Sequence, residues 1–302
     1  MSATSPDTSR RRMNLLAIIG YPIRHSLSPA IYNAAFDAMG VDARFEAWST
    51  PPDEVPAALR RLREPEMLGL SVTVPHKEAV IPLLDELDAT ARAIGAVNCI
   101  AKDGEGRLIG HNTDKDGFLR SLRAAGFEPE GKRAVVLGAG GAAHAVAYGL
   151  AEAGVASLAL AGRTPARVAA AAAHLRASAP RPVVVEALGW QDEAFAAACR
   201  AADLVVNCTP IGMRHTEGEG ESPLAAGHLR PGLWVFDTVY TPPETALLRQ
   251  ARAAGARPVA GLDMLLFQAV ACLRYWTGRE APLDIMRQAA LRALAQPAGE
   301  AR

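Results

Sequence analysis

The sequence predicts an α/β protein of two domains, the second a doubly wound parallel sheet, and three observations carry that expectation. Short aliphatic and β-branched runs alternate with helix-length segments almost from end to end, as strand–helix–strand units require. One such run, Arg133 to Leu137, leads straight into a glycine-rich turn and a new helix. The chain is 302 residues long, which at about 100 to 200 residues per domain makes room for two cores.

Composition narrows the function classes. Half the residues are hydrophobic and 21% are charged, so the chain can bury enough apolar surface to fold. Lys plus Arg equals 32 and Asp plus Glu equals 32, which removes the positive excess that nucleic acid or anionic lipid would demand. The four cysteines, Cys99, Cys199, Cys208 and Cys272, are dispersed without metal spacing and read as reduced packing residues, so no metal is expected. Residues 1–12 are polar and end in Arg10-Arg11-Arg12, and are expected to form a disordered tail ahead of the first strand. No apolar stretch reaches the ~18 residues of a transmembrane helix, and the expectation is a cytoplasmic protein.

In order, strands are expected at Leu15 to Ile19, Arg44 to Trp48, Leu68 to Val74, Ala96 to Ala101 and Leu108 to Gly110. The first helix has Ser28 as its cap, Pro29 in its first turn, apolar residues Ile31, Ala34, Ala35 and Ala38 at helical spacing, and Gly40 as its stop. A helical link from Asp116 to Ala125 and a turn over Gly126 to Gly131 lead into the second half. There, strands at Arg133 to Leu137, Ser157 to Leu160, Pro182 to Glu186, Asp203 to Asn207, Leu233 to Asp237 and Ala256 to Val259 alternate with helices. From Leu262 onward the pattern is helical, broken at Gly278 to Pro282, and is expected to pack back over the domains.

The turn Gly138-Ala139-Gly140-Gly141-Ala142-Ala143 fits G-x-G-x-x-G/A between a strand and a helix running from Ala142 to Ala153. Gly138 allows the tight turn, Gly140 lets a pyrophosphate approach the backbone, Ala143 permits close helix packing, and the helix start favours negative charge. At the end of the next strand, where an acid would bind a ribose 2′-hydroxyl, the chain reads Ala161-Gly162-Arg163-Thr164-Pro165-Ala166-Arg167. Two arginines four apart with a threonine describe a 2′-phosphate pocket, hence NADP.

Polar residues gather at strand ends of the first half: His25, Ser26 and Ser28; Ser71, Thr73, His76 and Lys77; Asn98; and Asn112, Thr113 and Asp114. The hydroxyls, amides, lysine and aspartate among them, converging on one crevice, suit a small, polyhydroxylated, anionic ligand, while His25 and His76 are left out of the chemistry. With Asn207-Cys-Thr209-Pro210-Ile-Gly212-Met213, Asp237-Thr-Val-Tyr240 and Gly261-Leu-Asp-Met264-Leu-Leu-Phe-Gln268, these blocks closely resemble the shikimate dehydrogenase family from about Leu15 to Gly278.

The resemblance implies NADPH-dependent reduction of 3-dehydroshikimate to shikimate, in the chorismate route to aromatic amino acids. It implies a substrate-binding and catalytic domain of residues 13–114 and 264–302, and an NADP-binding domain of residues 115–263. Lys77 and Asp114 would be the catalytic pair; Ser26 and Ser28 would hold the carboxylate; Thr73, Asn98, Asp114 and Gln268 would bind ring hydroxyls; and Tyr240, with Tyr21, would stand near the cleft. The cofactor set would be Gly138, Gly140, Gly141, Ala142, Ala143, Arg163, Thr164, Arg167 and Gly261, with Asn207, Thr209 and Met213 on the nicotinamide side. Lys77 suits its role on chemical grounds, because reducing a ketone builds charge on oxygen that a nearby cation stabilises and can protonate.

Three positions depart from the family pattern: Ser71 for a commoner Asn, Gly162 for Asn, and His144 for Arg or Ser. The paired serines favour shikimate, while Ser71 keeps open a quinate/shikimate dehydrogenase of broader specificity. A non-catalytic ligand sensor on the same fold is the remaining alternative, disfavoured because Lys77 and Asp114 are both present. Monomer and homodimer both stay open.

Overall fold

The computed structural model describes residues 13–23, 26–190 and 192–296; the N-terminal tail and His25 lie outside the described residues. The first half builds a six-stranded sheet of β1 (Asn14–Gly20), β2 (Ala43–Ser49), β3 (Met67–Val72), β4 (Glu86–Leu87), β5 (Cys99–Lys102) and β6 (Leu108–His111), in the order β2-β1-β3-β5-β6-β4. Helices α1 (Ser28–Met39), α2 (Val55–Leu62) and α3 (Ala89–Ile94) connect them. Strand β1 runs parallel to β2 and β3, but β5 is antiparallel to both β3 and β6, so this sheet is mixed and not wholly parallel as the alternation suggests.

That reversal positions the site. The sequence places Asn98 inside a strand from Ala96, whereas β5 starts at Cys99. Because β5 runs backwards, its amino end lies beside the carboxyl ends of β1, β3 and β6. Asn98 therefore reaches the same sheet edge as Thr73 and Asn112, by the opposite route.

The link is α4 (Asp114–Ala124). After it come β7 (Arg133–Leu137), α5 (Gly141–Glu152), β8 (Ser157–Gly162), α6 (Pro165–Ser178), β9 (Val184–Gly189), α7 (Glu193–Ala201), β10 (Leu204–Asn207), β11 (Trp234–Asp237), α8 (Ala246–Ala253) and β12 (Arg257–Ala260). Their sheet has the order β12-β11-β10-β7-β8-β9, parallel throughout, with the crossover point between β7 and β10. In such sheets ligands bind at the strand carboxyl ends beside that point.

Two long helices close the chain, α9 (Leu262–Thr277) and α10 (Leu283–Ala295), separated at Gly278, whose left-handed φ of 66° caps α9. Helix α9 packs mainly on the first sheet: Leu266, Ala269, Cys272, Leu273 and Trp276 join the core of Tyr32, Phe36 and Phe45. The Trp276 indole donates to the Ile100 carbonyl at 3.0 Å, which pins the helix over β5. At its other end Met264 enters the core of the second sheet with Phe118 and Leu122 of α4. Helices α4 and α9 cross at Gly117, where a Cβ would stand 2.8 Å from the Met264 carbonyl oxygen. The four cysteines are free, and three are buried. Among the described residues no helix is long and apolar enough to cross a membrane.

Candidate active site

The dinucleotide turn forms as its sequence demands. Strand β7 ends at Leu137, Gly138 takes a φ of 112° that side chains rarely adopt, and α5 begins at Gly141. The first amides of α5 have no partner within the helix and face a cavity of about 280 Å³ lined by Gly138, Gly140, Gly141, Ala142, Gly162, Arg163, Thr164 and Arg167. A Cβ on Gly140 would meet nothing within 4 Å, so that backbone is open to close approach by a ligand. Ala143, 1% exposed, sits behind this surface in the core and serves helix packing.

Thr164 is the residue before α6 and its hydroxyl makes no capping bond, which leaves it free toward the cavity. Among the described residues the Arg163 guanidinium has no hydrogen bond or ion pair. Arg167 is engaged: its Nη2 donates to the Ala139 carbonyl at 3.4 Å and lies 3.6 Å from Glu78 Oε1. Orphan amides, an open glycine and a free arginine where an acid would exclude phosphate together fit a 2′-phosphorylated dinucleotide.

A second cavity of about 170 Å³ opens beside the first and is lined by Ser28, Ser71, Thr73, Lys77, Asn98, Asp114, Tyr240, Gly261 and Gln268, with Thr209 and Met213 from the second sheet. Lys77 Nζ donates to Asp114 Oδ2 at 2.5 Å. Asp114 occupies the first turn of α4, where the helix dipole favours its charge, and Asn112 Oδ1 caps that turn by accepting from the Asp114 amide at 3.1 Å. The other carboxylate oxygen accepts from Asn98 Nδ2 at 2.9 Å, and the same amide group reaches Thr113 Oγ1 at 2.8 Å and Gln268 Oε1 at 3.1 Å. Asn98 Oδ1 accepts from the Thr113 amide at 2.7 Å. One asparagine thus ties β5, α4 and α9 into a single polar floor.

The remaining site expectations fall as follows. Ser28, 4% exposed, lines the cavity but is the first residue of α1 and not its cap; the residue before the helix is Leu27, and Ser26 Oγ accepts from the Ser28 amide at 3.2 Å. Ser26 itself is half-buried, its oxygen turned to that amide. Asn207, expected on the nicotinamide side, is fully buried: it donates to Asp237 Oδ1 at 2.9 Å and accepts from both the amide and the hydroxyl of Thr209. It shapes the turn that presents Thr209 and Met213, and lines neither of the two cavities. Burial pushes the Tyr240 phenol up to about 12 and the Asp237 carboxyl up to about 6. Tyr21, half exposed, donates its amide to the Val74 carbonyl at 3.1 Å on the rim. His76 bonds the Thr50 carbonyl at 2.7 Å from a buried position, a packing role.

Sequence reading misses Val74, Glu78, Trp190 and Cys208, all of which line the cofactor cavity. Val74, Trp190 and Cys208 stand just past the ends of β3, β9 and β10, where the strand-end rule could have found them. Glu78 lies in the loop beyond β3 of the first half and has no local signature.

Fold and site define a dinucleotide-dependent oxidoreductase of two α/β sheets, with a lysine–aspartate pair set in the cleft between them. Comparison with known proteins makes the class specific. Residues 18–100 match the shikimate dehydrogenase substrate binding domain, and residues 261–291 the shikimate 5′-dehydrogenase C-terminal domain. The shikimate dehydrogenase (NADP(+)) of Moorella thermoacetica is 49% identical over 286 residues, covering 94% of this chain and 95% of that protein. The structure of shikimate 5-dehydrogenase from Thermus thermophilus in complex with NADP(H) and shikimate superposes with a TM-score of 0.80 at 38% identity, covering 93% of this chain and all (100%) of that one. Quinate dehydrogenase from Corynebacterium glutamicum in complex with NAD gives a TM-score of 0.82 at 34% identity, covering 92% and 99% of the two chains. The chain belongs to the shikimate dehydrogenase family.

Proposed function

We propose that this chain catalyses the reversible NADPH-dependent reduction of 3-dehydroshikimate to shikimate, with Lys77 and Asp114 as its catalytic pair. The observation that carries the assignment of the pair is the 2.5 Å contact between them, at the junction of the cofactor and substrate cavities, both of which Lys77 lines. The nicotinamide, when bound, supplies or accepts the hydride at the carbon that bears the reacting oxygen.

Lys77 donates a hydrogen bond to the substrate carbonyl, stabilises the charge that grows on it and delivers the proton. Asp114 holds the ammonium in place and accepts from the neighbouring ring hydroxyl. Thr73, Asn98 and Gln268 bind the remaining hydroxyls, and Ser28, with Ser26 beside it, receives the carboxylate. Tyr240 walls the same cavity. Gly138, Gly140, Gly141 and Ala142 cradle the pyrophosphate, Ala143 packs the helix that carries them, and Arg163, Thr164 and Arg167 take the 2′-phosphate. Thr209, Met213 and Gly261 bound the nicotinamide side. The two domains, residues 13–114 with 264–302 and residues 115–263, move about the α4–α9 crossing to exclude water. Four free thiols suit a cytoplasmic enzyme, acting as monomer or homodimer.

A second reading, a quinate/shikimate dehydrogenase, is favoured by one feature. Ser71 lines the substrate cavity with a side chain shorter than the commoner Asn, which leaves room beside the ring for a further substituent. Initial rates of nucleotide reduction with shikimate and with quinate, each with NADP and NAD, test both readings. Fast NADPH formation with shikimate alone supports the first; comparable quinate turnover supports the second; inactivity on both with NADP bound refutes both.

A further inference from the structure

The two arginines offered to the 2′-phosphate are not equivalent. Arg163 is unpaired among the described residues, whereas Arg167 is held from two sides, by the Ala139 carbonyl of the glycine turn at 3.4 Å and by Glu78 at 3.6 Å. Glu78 lies in the loop after β3 of the first half, directly after Lys77, and lines the same cavity that the cofactor's phosphates would enter. A carboxylate in an anion site needs a reason, and among the described residues Arg167 is the one arginine or lysine bridged to it.

We propose that Glu78 is a specificity-determining residue that competes with the 2′-phosphate for Arg167. In the nucleotide-free protein the pair neutralises itself across the cleft. A 2′-phosphorylated nucleotide draws the guanidinium away and leaves the carboxylate without its partner, so part of the gain from the phosphate is offset. A nucleotide with a bare 2′-hydroxyl leaves the pair intact and experiences no such penalty. Glu78 therefore holds NADP affinity down selectively, which favours release of the product nucleotide, and it does so from the residue next to the lysine that contacts substrate.

Both side chains are substantially exposed, 62% for Arg167 and 44% for Glu78. The effect is accordingly that of a screened surface pair, about two- to fivefold in binding, and it shrinks as salt rises.

This inference rests on the reading of the cleft as an NADP site, and the test separates the two. Calorimetric binding of adenosine 2′,5′-bisphosphate and of 5′-AMP is measured for the wild-type protein, Glu78→Gln, Arg167→Ala and the double variant, at low and high salt. The expected result is that Glu78→Gln tightens the bisphosphate about two- to fivefold and leaves 5′-AMP unchanged, with a smaller gain in the Arg167→Ala background. Unchanged or weaker bisphosphate binding overturns the proposal. So does an equal gain for both nucleotides, or an equal gain with and without Arg167, which would indicate simple repulsion. A wild-type protein that binds the two nucleotides equally well refutes the NADP reading itself.

Discussion

Gly141→Ala tests how the two sheets are held in register. Gly141 opens α5 in the nucleotide half, and a Cβ there would lie 2.7 Å from the Cβ of Lys77 and 3.2 Å from the Cβ of Ala96, both in the substrate half. Ordinary contact begins at 3.4 to 4 Å, so the clash calls for a relative shift of about 1 Å, a displacement that costs roughly 10²-fold when it separates reacting groups. Side-chain rotation cannot relieve it, because a Cβ moves only with its backbone, and the Lys77 carbonyl is fixed by the Val97 amide at 2.8 Å. For α5 itself the change is close to neutral, since alanine's advantage over glycine of about 0.5 to 1 kcal/mol belongs to helix interiors and Gly141 is the first residue of the helix. We therefore expect kcat for shikimate oxidation to fall about 10²-fold while the melting temperature and the binding of shikimate alone stay at wild-type values. A steady-state assay, a thermal melt and a shikimate titration provide the three readouts. A kcat within about threefold of wild type would show that the close approach of Gly141 to Lys77 does not set the reacting distance.

Lys77→Ala should lower kcat by roughly 10²-fold or more with NADP binding preserved, and an unchanged kcat removes Lys77 from the chemistry. Arg163→Ala should weaken NADP while leaving NAD nearly unaffected, since only NADP carries the phosphate; equal losses, read by equilibrium titration, would refute that role. Burial pushes the pKa of the Asp237 carboxyl up to about 6 from its ordinary 3.8, despite bonds from Thr245, Val239 and Asn207. Its folded-state affinity for a proton is raised, so its contribution to stability is full below about pH 4 and is lost as pH climbs through 6. Relative to Asp237→Asn, the wild-type protein should lose melting temperature between those two values; a pH-independent difference would refute the buried-charge account.

Much of the nucleotide half could be read in one dimension. The strand Arg133 to Leu137 and its glycine turn appear where the sequence places them, because a hydrophobic run, a positive-φ glycine and a helix start are all local requirements. The helix breaks at Gly40 and Gly278 were equally legible, since both take the left-handed φ that favours glycine. Strand β4 has two residues and no period to detect, and the four residues of β5 do not reveal their direction. That direction is set by pairing of Gly69 to Ser71 with Cys99 to Ala101, a choice made between segments.

Residue types announced the chemistry of the site, but contacts decided who performs it. Asn207 and Thr209 look alike as polar residues at a strand end. Only the packing of Asp237 beneath them turns the first inward as a brace and leaves the second at the cavity.

By itself the sequence determined the two-part α/β plan, the dinucleotide turn, the preference for a phosphate-bearing cofactor and the family, because each rests on local backbone demands or on residue identity in order. Tertiary structure alone decided the rest. Lys77 meets Asp114 across 37 positions, Asn98 meets Gln268 across 170, and Glu78 meets Arg167 from the opposite half. No periodicity spans such separations; the first two pairs exist because β5 runs backwards and α9 folds home over the first sheet, and the third because the start of α6 faces the loop after β3.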